Sequence, residues 1–552
     1  MRQVAATIVA AFAAIACTGG LARADDIGKP GTPNGPPAGI APVTVSLQAV
    51  LHAHDTARGI TAHPTITDIE QGTITAYGMT GKYRDAYAGL RAGSDYSSTE
   101  TMGPFTTSEG RYHGQRWRRD ENGVTDVMQD AQRTAAFVER SFTNEAEDTS
   151  NDVKLLGEVT SPVNAYVVQV KIKGESPSWG FFDKKTGLLD RLEIGDTDDR
   201  SIITYDDYRL SGGNREAWHT HYSDAHPENE YDRRITSDTY GAPLTSADLE
   251  IPSTRQNFVT LPAGKLEYDL PSDVRVETEN FGVTWIDAWP FIHVTINGRG
   301  LDMLLDSTES GMVLDDEVAK ELGLTRYGPY GEDKKRSIYP TRSVIPALSV
   351  GDVQMQNVAV SLRHLGGQYN EKKIVGIIGY DLLANSVVEI DYIHHVVKLY
   401  DPIQFVPPAD SFASPVNIDD EIPFVDATIG NSSGNYFMLD DTQPFTVLFP
   451  DFYQAHPNDV VDQGQGRAQN FTFFSDRDSS MKATQLKALY FGGTRFDEWV
   501  AYEATNTQDL EGVDVDGIIG CDFLQYFNVY FDYGHRSVYL EPNDAYRRAV
   551  QH

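Results

Sequence analysis

The chain has 552 residues, too many for one ordinary hydrophobic core, so its length predicts two to four domains. A formal net charge of −34 argues against nucleic acid and anionic membrane surfaces as partners, because both would repel the chain. Apolar and aromatic contents of 40% and 11% are typical of a globular protein and exclude a disordered one.

The N-terminus has the pattern of an export signal. Arg2 is followed by the apolar run "VAATIVAAFAAIAC", and a small-x-small cleavage site ends at Ala24. These features predict a signal peptide at 1–24 and a periplasmic or secreted protein, with lipidation at Cys17 as the alternative. No later stretch is apolar for long enough to predict a transmembrane segment. Only Cys521 remains after the signal, so no intramolecular disulfide can form.

The region after the signal predicts a linker, a helix and then an antiparallel meander. Residues 25–42 are rich in Pro and Gly, have no apolar period and predict the linker. Residues 46–58 predict a short helix that ends at Gly59. Further on, apolar residues alternate along "AYVVQVKIKG", which indicates a strand, while "DENG" and "DKKTG" indicate hairpin turns. We therefore expect a β-rich domain at 43–257.

Two stretches of this domain, "WGFFDKKTGLLDRLEI" and "IITYDDYRLSGG", resemble the bacterial lipoprotein-carrier family. The resemblance implies an antiparallel half-barrel, since that family wraps its sheet around an apolar cavity. It also implies an apolar ligand held inside the half-barrel.

An internal repeat organises the rest of the chain. "PFIHVTINGRGLDMLLDSTESGMVL" at 290–314 aligns with "PFVDATIGNSSGNYFMLDDTQPFTVL" at 423–448. "GIIGYDLLANSVVEIDYIHHVVKLYDP" likewise aligns without gaps to "GIIGCDFLQYFNVYFDYGHRSVYLEPN". The order and spacing of the blocks predict two copies of one β-rich module, at 258–408 and 409–552. In both copies "GIIG" predicts a strand that passes close to other backbone.

The two copies resemble the retropepsin-like and pepsin-like aspartic peptidases, in which an Asp-Thr-Gly turn follows a hairpin and a "GIIGYDLL…VVEIDY" segment comes later. The resemblance implies a mainly β fold with two lobes, each giving one aspartate to a shared site. Such a pair shares a proton, because two adjacent carboxylates do not both ionise readily. The expected pair is Asp306 and Asp440. Asp441 is the alternative to Asp440, since it would keep the family's Asp-Thr pair.

The turns depart from the family pattern at two positions each. Ser307 keeps the hydroxyl that, in the family, bonds across the lobes, whereas Asp441 lacks a donor when ionised. Thr308 and Thr442 stand where the family has glycine. Two interpretations therefore remain open: an aspartic-type endopeptidase, or a catalytically impaired envelope protein that binds peptide or lipid.

The remaining expectations concern partners and accessory groups. A candidate flap at 328–342 would bring Tyr330 or Tyr339 to a peptide. The expected partner of the lobes is a peptide or an unfolded protein, and the chain is expected to be a monomer without cofactor or metal. A metal site at "WHTHYSDAH" is the alternative, but its ligand set is incomplete.

Overall fold

The computed structural model describes the following residues: 36–59, 67–89, 94–128, 152–171, 177–194, 201–223, 230–255, 258–262, 267–269, 272–277, 287–328, 341–365, 368–369, 372–419, 421–461, 469–472, 478–504 and 515–549. The predicted signal peptide, Cys17 and the flap tyrosines Tyr330 and Tyr339 lie outside these residues. The described part is mainly β, as expected, and no helix in it is long and apolar enough to cross a membrane. The described residues before Arg255 form one compact unit, and nearly all of those from Arg255 onward form a second.

The first unit is one curled antiparallel sheet of thirteen strands with a helix. The helix, α1, is Leu47–Arg58. It begins where the Ser46 side chain accepts the N–H of Ala49, and it ends at Gly59 with φ of 68°, so the predicted helix is confirmed. The strands are β1 Asp68–Ala76, β2 Met79–Tyr87, β3 Tyr96–Met102, β4 Phe105–Tyr112, β5 Gln115–Arg119, β6 Thr125–Met128, β7 Asp152–Val159, β8 Ala165–Lys171, β9 Ser178–Asp183, β10 Leu189–Ile194, β11 Ser201–Ser211, β12 Asn214–Ser223 and β13 Tyr231–Tyr240.

The sheet is a meander whose order is β6-β5-β4-β3-β2-β1-β13-β12-β11-β10-β9-β8-β7. Both hairpin turns predicted from "DENG" and "DKKTG" are confirmed, since they join β5 to β6 and β9 to β10. One face of the sheet packs an apolar cluster against Val50 of α1, with Leu47 and Leu51 at its margin.

A second part of the interior of this unit is charged. The strand register places Glu70 opposite Asp85, and Asp85 opposite Ser98. Asp85 accepts hydrogen bonds from Arg233, Ser98 and Tyr87, and both Asp85 and Arg233 are almost fully buried. The guanidinium of Arg233 also lies 3.6 Å from the ring centroid of Tyr83. Burial raises the pKa of Glu70 to about 7, so this carboxyl carries a proton over much of the acidic range.

The second unit contains three larger sheets and a short two-stranded one. The strands of its first half are β14 Val259–Thr260, β15 Glu267–Asp269, β16 Ser272–Glu277, β17 Asp287–Ile296, β18 Arg299–Leu305, β19 Met312–Asp315, β20 Thr341–Val350, β21 Val353–Arg363, β22 Gln368–Tyr369, β23 Lys372–Lys373, β24 Gly376–Ile378, β25 Val387–Asp391 and β26 Val396–Tyr400. The helices of this half are α2 Asp316–Glu321 and α3 Tyr380–Leu383.

The second half of this unit follows a similar plan. Its strands are β27 Phe412–Pro415, β28 Asn417–Asp419, β29 Ile422–Ile429, β30 Ser432–Leu439, β31 Val447–Leu448, β32 Val460–Val461, β33 Gln469–Thr472, β34 Asp478–Leu486, β35 Ala488–Phe491, β36 Thr494–Asp497, β37 Val500–Ala504, β38 Gly517–Ile519, β39 Phe527–Asp532 and β40 Ser537–Pro542. Its helices are α4 Pro450–Ala455, α5 Cys521–Leu524 and α6 Asp544–Ala549.

The strand pairings around each aspartate are the same in the two halves. In the first half β24 lies between β18 and β19, pairing parallel with β18 and antiparallel with β19. In the second half β38 lies between β30 and β31 with the same directions. A separate six-stranded sheet, in the order β15-β26-β25-β39-β40-β27, takes three strands from each half. Since β25 pairs with β39, this sheet joins the halves.

The "GIIG" strands pass as close to other backbone as the sequence predicts. A Cβ at Gly520 would lie 2.4 Å from the carbonyl oxygen of Phe445, and one at Gly379 would lie 2.0 Å from that of Glu309. Phe445 and Glu309 belong to the turns that follow the two aspartates. The glycines therefore let each turn lie directly on the neighbouring strand.

We predict that Gly520→Ala lowers the free energy of unfolding by about 1–3 kcal/mol or more, because backbone must move to admit the methyl group. Urea unfolding of the purified chain would measure it. Gly300→Ala is the matched control: Gly300 lies in β18 and a Cβ there has open space, so a change within about 0.5 kcal/mol is expected. Equal losses in both variants would contradict this account of close packing.

We also predict that Arg233→Met destabilises the first unit by about 3–5 kcal/mol, because Asp85 would remain buried without its cation. Lys154→Met, which removes an exposed ion pair with Asp152 on β7, should cost only about 0–1 kcal/mol. Differential scanning calorimetry of both variants checks the contrast. A loss as small in Arg233→Met as in Lys154→Met would show that the buried pair contributes no net stability.

Candidate active site

Two turns with the same internal hydrogen bonds carry the predicted aspartates. Asp306 follows β18, and its Oδ1 accepts the N–H and the hydroxyl of Thr308, both at 2.8 Å. Asp440 follows β30, and its Oδ1 accepts the N–H and the hydroxyl of Thr442, again at 2.8 Å, together with the N–H of Gln443. Asp440 therefore has the environment that matches Asp306.

The backbone of the two aspartates is also held in the same way. The N–H of Asp306 donates to the carbonyl of Ile378 in β24, and the N–H of Asp440 donates to that of Ile519 in β38. Both side chains are more than nine-tenths buried. The second oxygen of each carboxyl takes no part in these turn contacts and remains available to the facing lobe.

Thr308 and Thr442, which stand where the resembled peptidases have glycine, have a definite role in these turns. Neither Thr308 nor Thr442 has a positive φ, so the backbone conformation does not require glycine there. Each threonine hydroxyl donates to the aspartate of its own turn, which a glycine could not do. The replacement thus adds a donor to each inner carboxyl oxygen.

Ser307 and Asp441 connect the two turns across the lobes. The Ser307 hydroxyl donates to the carbonyl of Leu439 at 2.9 Å and accepts the N–H of Asp441 at 3.1 Å. The N–H of Ser307 in turn donates to Oδ1 of Asp441 at 2.6 Å. Asp441 therefore occupies in the second turn the place that Ser307 has in the first, and this geometry places Asp440 beside Asp306.

These contacts bring three carboxyl groups together. One oxygen from each of Asp306, Asp440 and Asp441 lies within 4.8 Å of the others. Burial, followed by the nearby charge of Asp306, raises the pKa of Asp440 to about 7. Burial also raises the pKa of Asp306, against the hydrogen bonds from Thr308, which lower it. Because the pair is coupled, its protons belong to both residues rather than to one.

Glu309 adds a fourth buried carboxyl next to the first turn. Both of its oxygens bind Arg363 at the end of β21, at 3.0 and 3.1 Å. Burial raises the pKa of Glu309, while the Arg363 charge lowers it. The bidentate pair with Arg363 compensates the negative charge of Glu309, and the charge of Asp306 acts in the other direction, raising the pKa of Glu309.

Two aromatic residues that the sequence reasoning did not single out donate hydrogen bonds to the turns. Trp289 of β17 donates its indole N–H to the carbonyl of Thr442 at 2.9 Å, which links the first half to the second turn. Tyr533, which follows β39, donates its hydroxyl to the carbonyl of Ser307 at 3.0 Å. Tyr392 follows β25 in the aligned position and is also buried, but its hydroxyl has no hydrogen-bond partner among the described residues.

The metal alternative at "WHTHYSDAH" gains no support from its surroundings. His219 has both ring nitrogens close to carboxylates, at 2.8 Å from Asp206 and 2.6 Å from Asp232, and His226 lies outside the described residues. The spacing of the three carboxyls at the two turns would admit an ion by distance, as would Asp315, Asp316 and His364. A cluster of acids with this spacing is also what a shared-proton pair requires, and we assign no metal to either place.

The chain is similar to known aspartyl proteases and to lipoprotein-sorting proteins. Residues 292–382 match the family model described as "Aspartyl protease", a range that includes Asp306 and ends before the second turn. The aspartic proteinase from Irpex lacteus is 10% identical, with 50% of this chain and 98% of that one covered and a TM-score of 0.29. A retropepsin-like aspartic protease from Rickettsia conorii is 15% identical, with 24% and 100% covered and a TM-score of 0.19.

A LolA superfamily protein from Nitrosomonas europaea is 11% identical to this chain, with 38% of this chain and 98% of that one covered and a TM-score of 0.28. No curated protein sequence matches the chain.

The two aligned tyrosines give a direct test of the cross-lobe contact. We predict that Tyr533→Phe lowers the free energy of unfolding by about 1–3 kcal/mol, because the buried carbonyl of Ser307 loses its donor. Tyr392→Phe is the matched control, and since its hydroxyl has no described partner, the loss should be within about 0.5 kcal/mol. Urea unfolding measures both, and the reverse order of effects would contradict the assigned contact.

Proposed function

We propose that this protein is an aspartic-type endopeptidase that uses Asp306 and Asp440 as a water-activating pair. The observation that carries the proposal is the pair of equivalent turns, which hold two buried carboxyls from two lobes within 4.8 Å. The raised pKa of Asp440, about 7, supports a pair that keeps one proton at mildly acidic pH.

In the proposed reaction the ionised carboxyl takes a proton from water as the water oxygen bonds to the scissile carbonyl carbon. The protonated carboxyl donates its proton to the carbonyl oxygen, which gives a neutral tetrahedral intermediate. The C–N bond then breaks as the nitrogen takes the proton gained from water, and the second carboxyl recovers its proton as the carbonyl re-forms. Either aspartate serves as the base in this scheme, because the pair shares its proton.

The proposed substrate is a peptide or an unfolded protein, bound in an extended conformation that pairs its backbone with strand edges or a flap. The roles of Tyr330 and Tyr339 in such a flap remain predictions. We further propose that the chain acts after export, on the strength of the signal-like residues 1–24.

For the first unit we propose binding of an apolar ligand. The apolar cluster that would receive it is already packed by α1 through Leu47, Val50 and Leu51. Binding would therefore require those side chains to give way.

The test is cleavage of a reduced, unfolded protein by the purified chain from about pH 3 to 8. We predict cleavage that falls as the pH rises through about 7, because the pair then loses its shared proton. Asp306→Asn and Asp440→Asn should each reduce the rate by at least about 1,000-fold, since each removes one of two groups that act as a unit. Mass spectrometry of the products measures the rates.

Asp426→Asn, at an exposed position of β29, is the matched control and should cleave like the unchanged chain. Activity that survives in either site variant would exclude the shared pair. No cleavage by any form, together with saturable binding of the same unfolded protein, would instead support the second candidate function, peptide binding without hydrolysis. That candidate is favoured by the third carboxyl, Asp441, beside the pair.

A further inference from the structure

Asp441 makes only part of the hydrogen bonds that its position allows. Its side chain is fully buried, and Oδ1 accepts the N–H of Ser307 at 2.6 Å. Its other oxygen, Oδ2, is buried without a hydrogen-bond partner among the described residues. A buried carboxylate oxygen in that state is costly, because it has left water without a compensating bond.

The facing turn shows what the missing contact would be. Ser307 accepts the N–H of Asp441 and donates to the carbonyl of Leu439, the residue just before Asp440. The corresponding carbonyl in the first turn is that of Leu305, the residue just before Asp306. To donate a hydrogen bond to this carbonyl, as Ser307 does to that of Leu439, Asp441 would need a proton. A carboxylate has none, whereas a carboxylic acid has one.

Two charged groups that face Asp441, Asp306 on the facing turn and the adjacent Asp440, oppose its ionisation, while the hydrogen bonds from Ser307 favour it. The other titratable groups nearby are Tyr392 and Tyr533, which follow β25 and β39, and Cys521 at the start of α5.

All of these groups are neutral or negative. The cation near the first turn, Arg363, is bound by both oxygens of Glu309. In agreement, burial and then the charge of Asp306 raise the pKa of Asp441 well above its usual range.

We propose that Asp441 is a positioning residue that works as a neutral carboxylic acid, accepting from Ser307 and donating to the carbonyl of Leu305 in place of a hydroxyl. This inference rests on the proposed function for its catalytic meaning, because the contact would hold Asp306 and Asp440 face to face. The hydrogen bonds between the two turns would then depend on the proton that Asp441 carries. Ionised Asp441 would lose the donor and place a third negative charge beside the pair.

The experiment compares the unchanged chain with Asp441→Asn. The asparagine has the same shape, its carbonyl can accept from Ser307, and its amide always donates. Urea unfolding of both proteins is measured from pH 4 to 8. The folded chain keeps a proton on Asp441 that the unfolded chain releases above about pH 4, so stability is lost as pH rises toward the folded pKa. The unfolding constant of the unchanged chain should therefore rise about tenfold per pH unit relative to Asp441→Asn.

Asp441→Thr is a second variant that supplies a hydroxyl with both functions, and it should lose the same pH dependence. Asp426→Asn should follow the unchanged chain at every pH. Stability curves for Asp441→Asn and Asp441→Thr that run parallel to that of the unchanged chain would overturn the inference. A loss of stability in both variants that is the same at every pH is one such result.

Cleavage assays on the same samples separate this inference from the proposed function. Diverging stability curves with no cleavage by any form would support the neutral acid and overturn the peptidase. Cleavage with parallel stability curves would support the peptidase and overturn the neutral acid. If both hold, Asp441→Asn should keep cleaving at a higher pH than the unchanged chain.

Discussion

The second unit depends on keeping two acidic side chains out of water and next to each other. A buried carboxyl group loses its hydrogen bonds to water, which is unfavourable. The surrounding protein must therefore supply hydrogen bonds in their place. Each inner oxygen receives two donors from the threonine that follows, and each aspartate N–H is tied to a "GIIG" strand. The strands, the close-packed glycines and the cross-lobe serine all hold the two turns in one relative position.

The sequence predicted the regular elements of the fold well where local physical signals were strong. Ser46 and Gly59 mark the ends of α1 because capping is a local interaction. The "GIIG" segments were recognised because only a small residue permits close backbone contact. The charged interior of the first unit was not predicted. Alternation rules place charges outward, and only the pairing of β13 with β1, and of β1 with β2, brings Arg233 to Asp85.

Part of the candidate site could also be predicted from the sequence. The predicted repeat aligns Asp440 with Asp306, and the two residues accept matching hydrogen bonds. The hydrogen bonds that Thr308 and Thr442 donate were not predicted, because the sequence shows only that threonine stands where the resembled family has glycine. Tyr533 was visible as the "DY" shared by both repeat blocks. Its partner Ser307, however, lies 226 residues away, a separation that no local pattern encodes.

The six-stranded sheet that joins the two halves of the second unit affects how far the two turns of the site can differ from each other. β25 of one half pairs with β39 of the other, so a half expressed alone would present an open strand edge to a second copy. Two identical copies joined in this way would be restricted by symmetry to the same residue in both turns. Because one chain encodes each turn separately, a hydroxyl can face a carboxyl. Covalent linkage thus removes the symmetry and lets the two sides of one junction take different, complementary chemical roles.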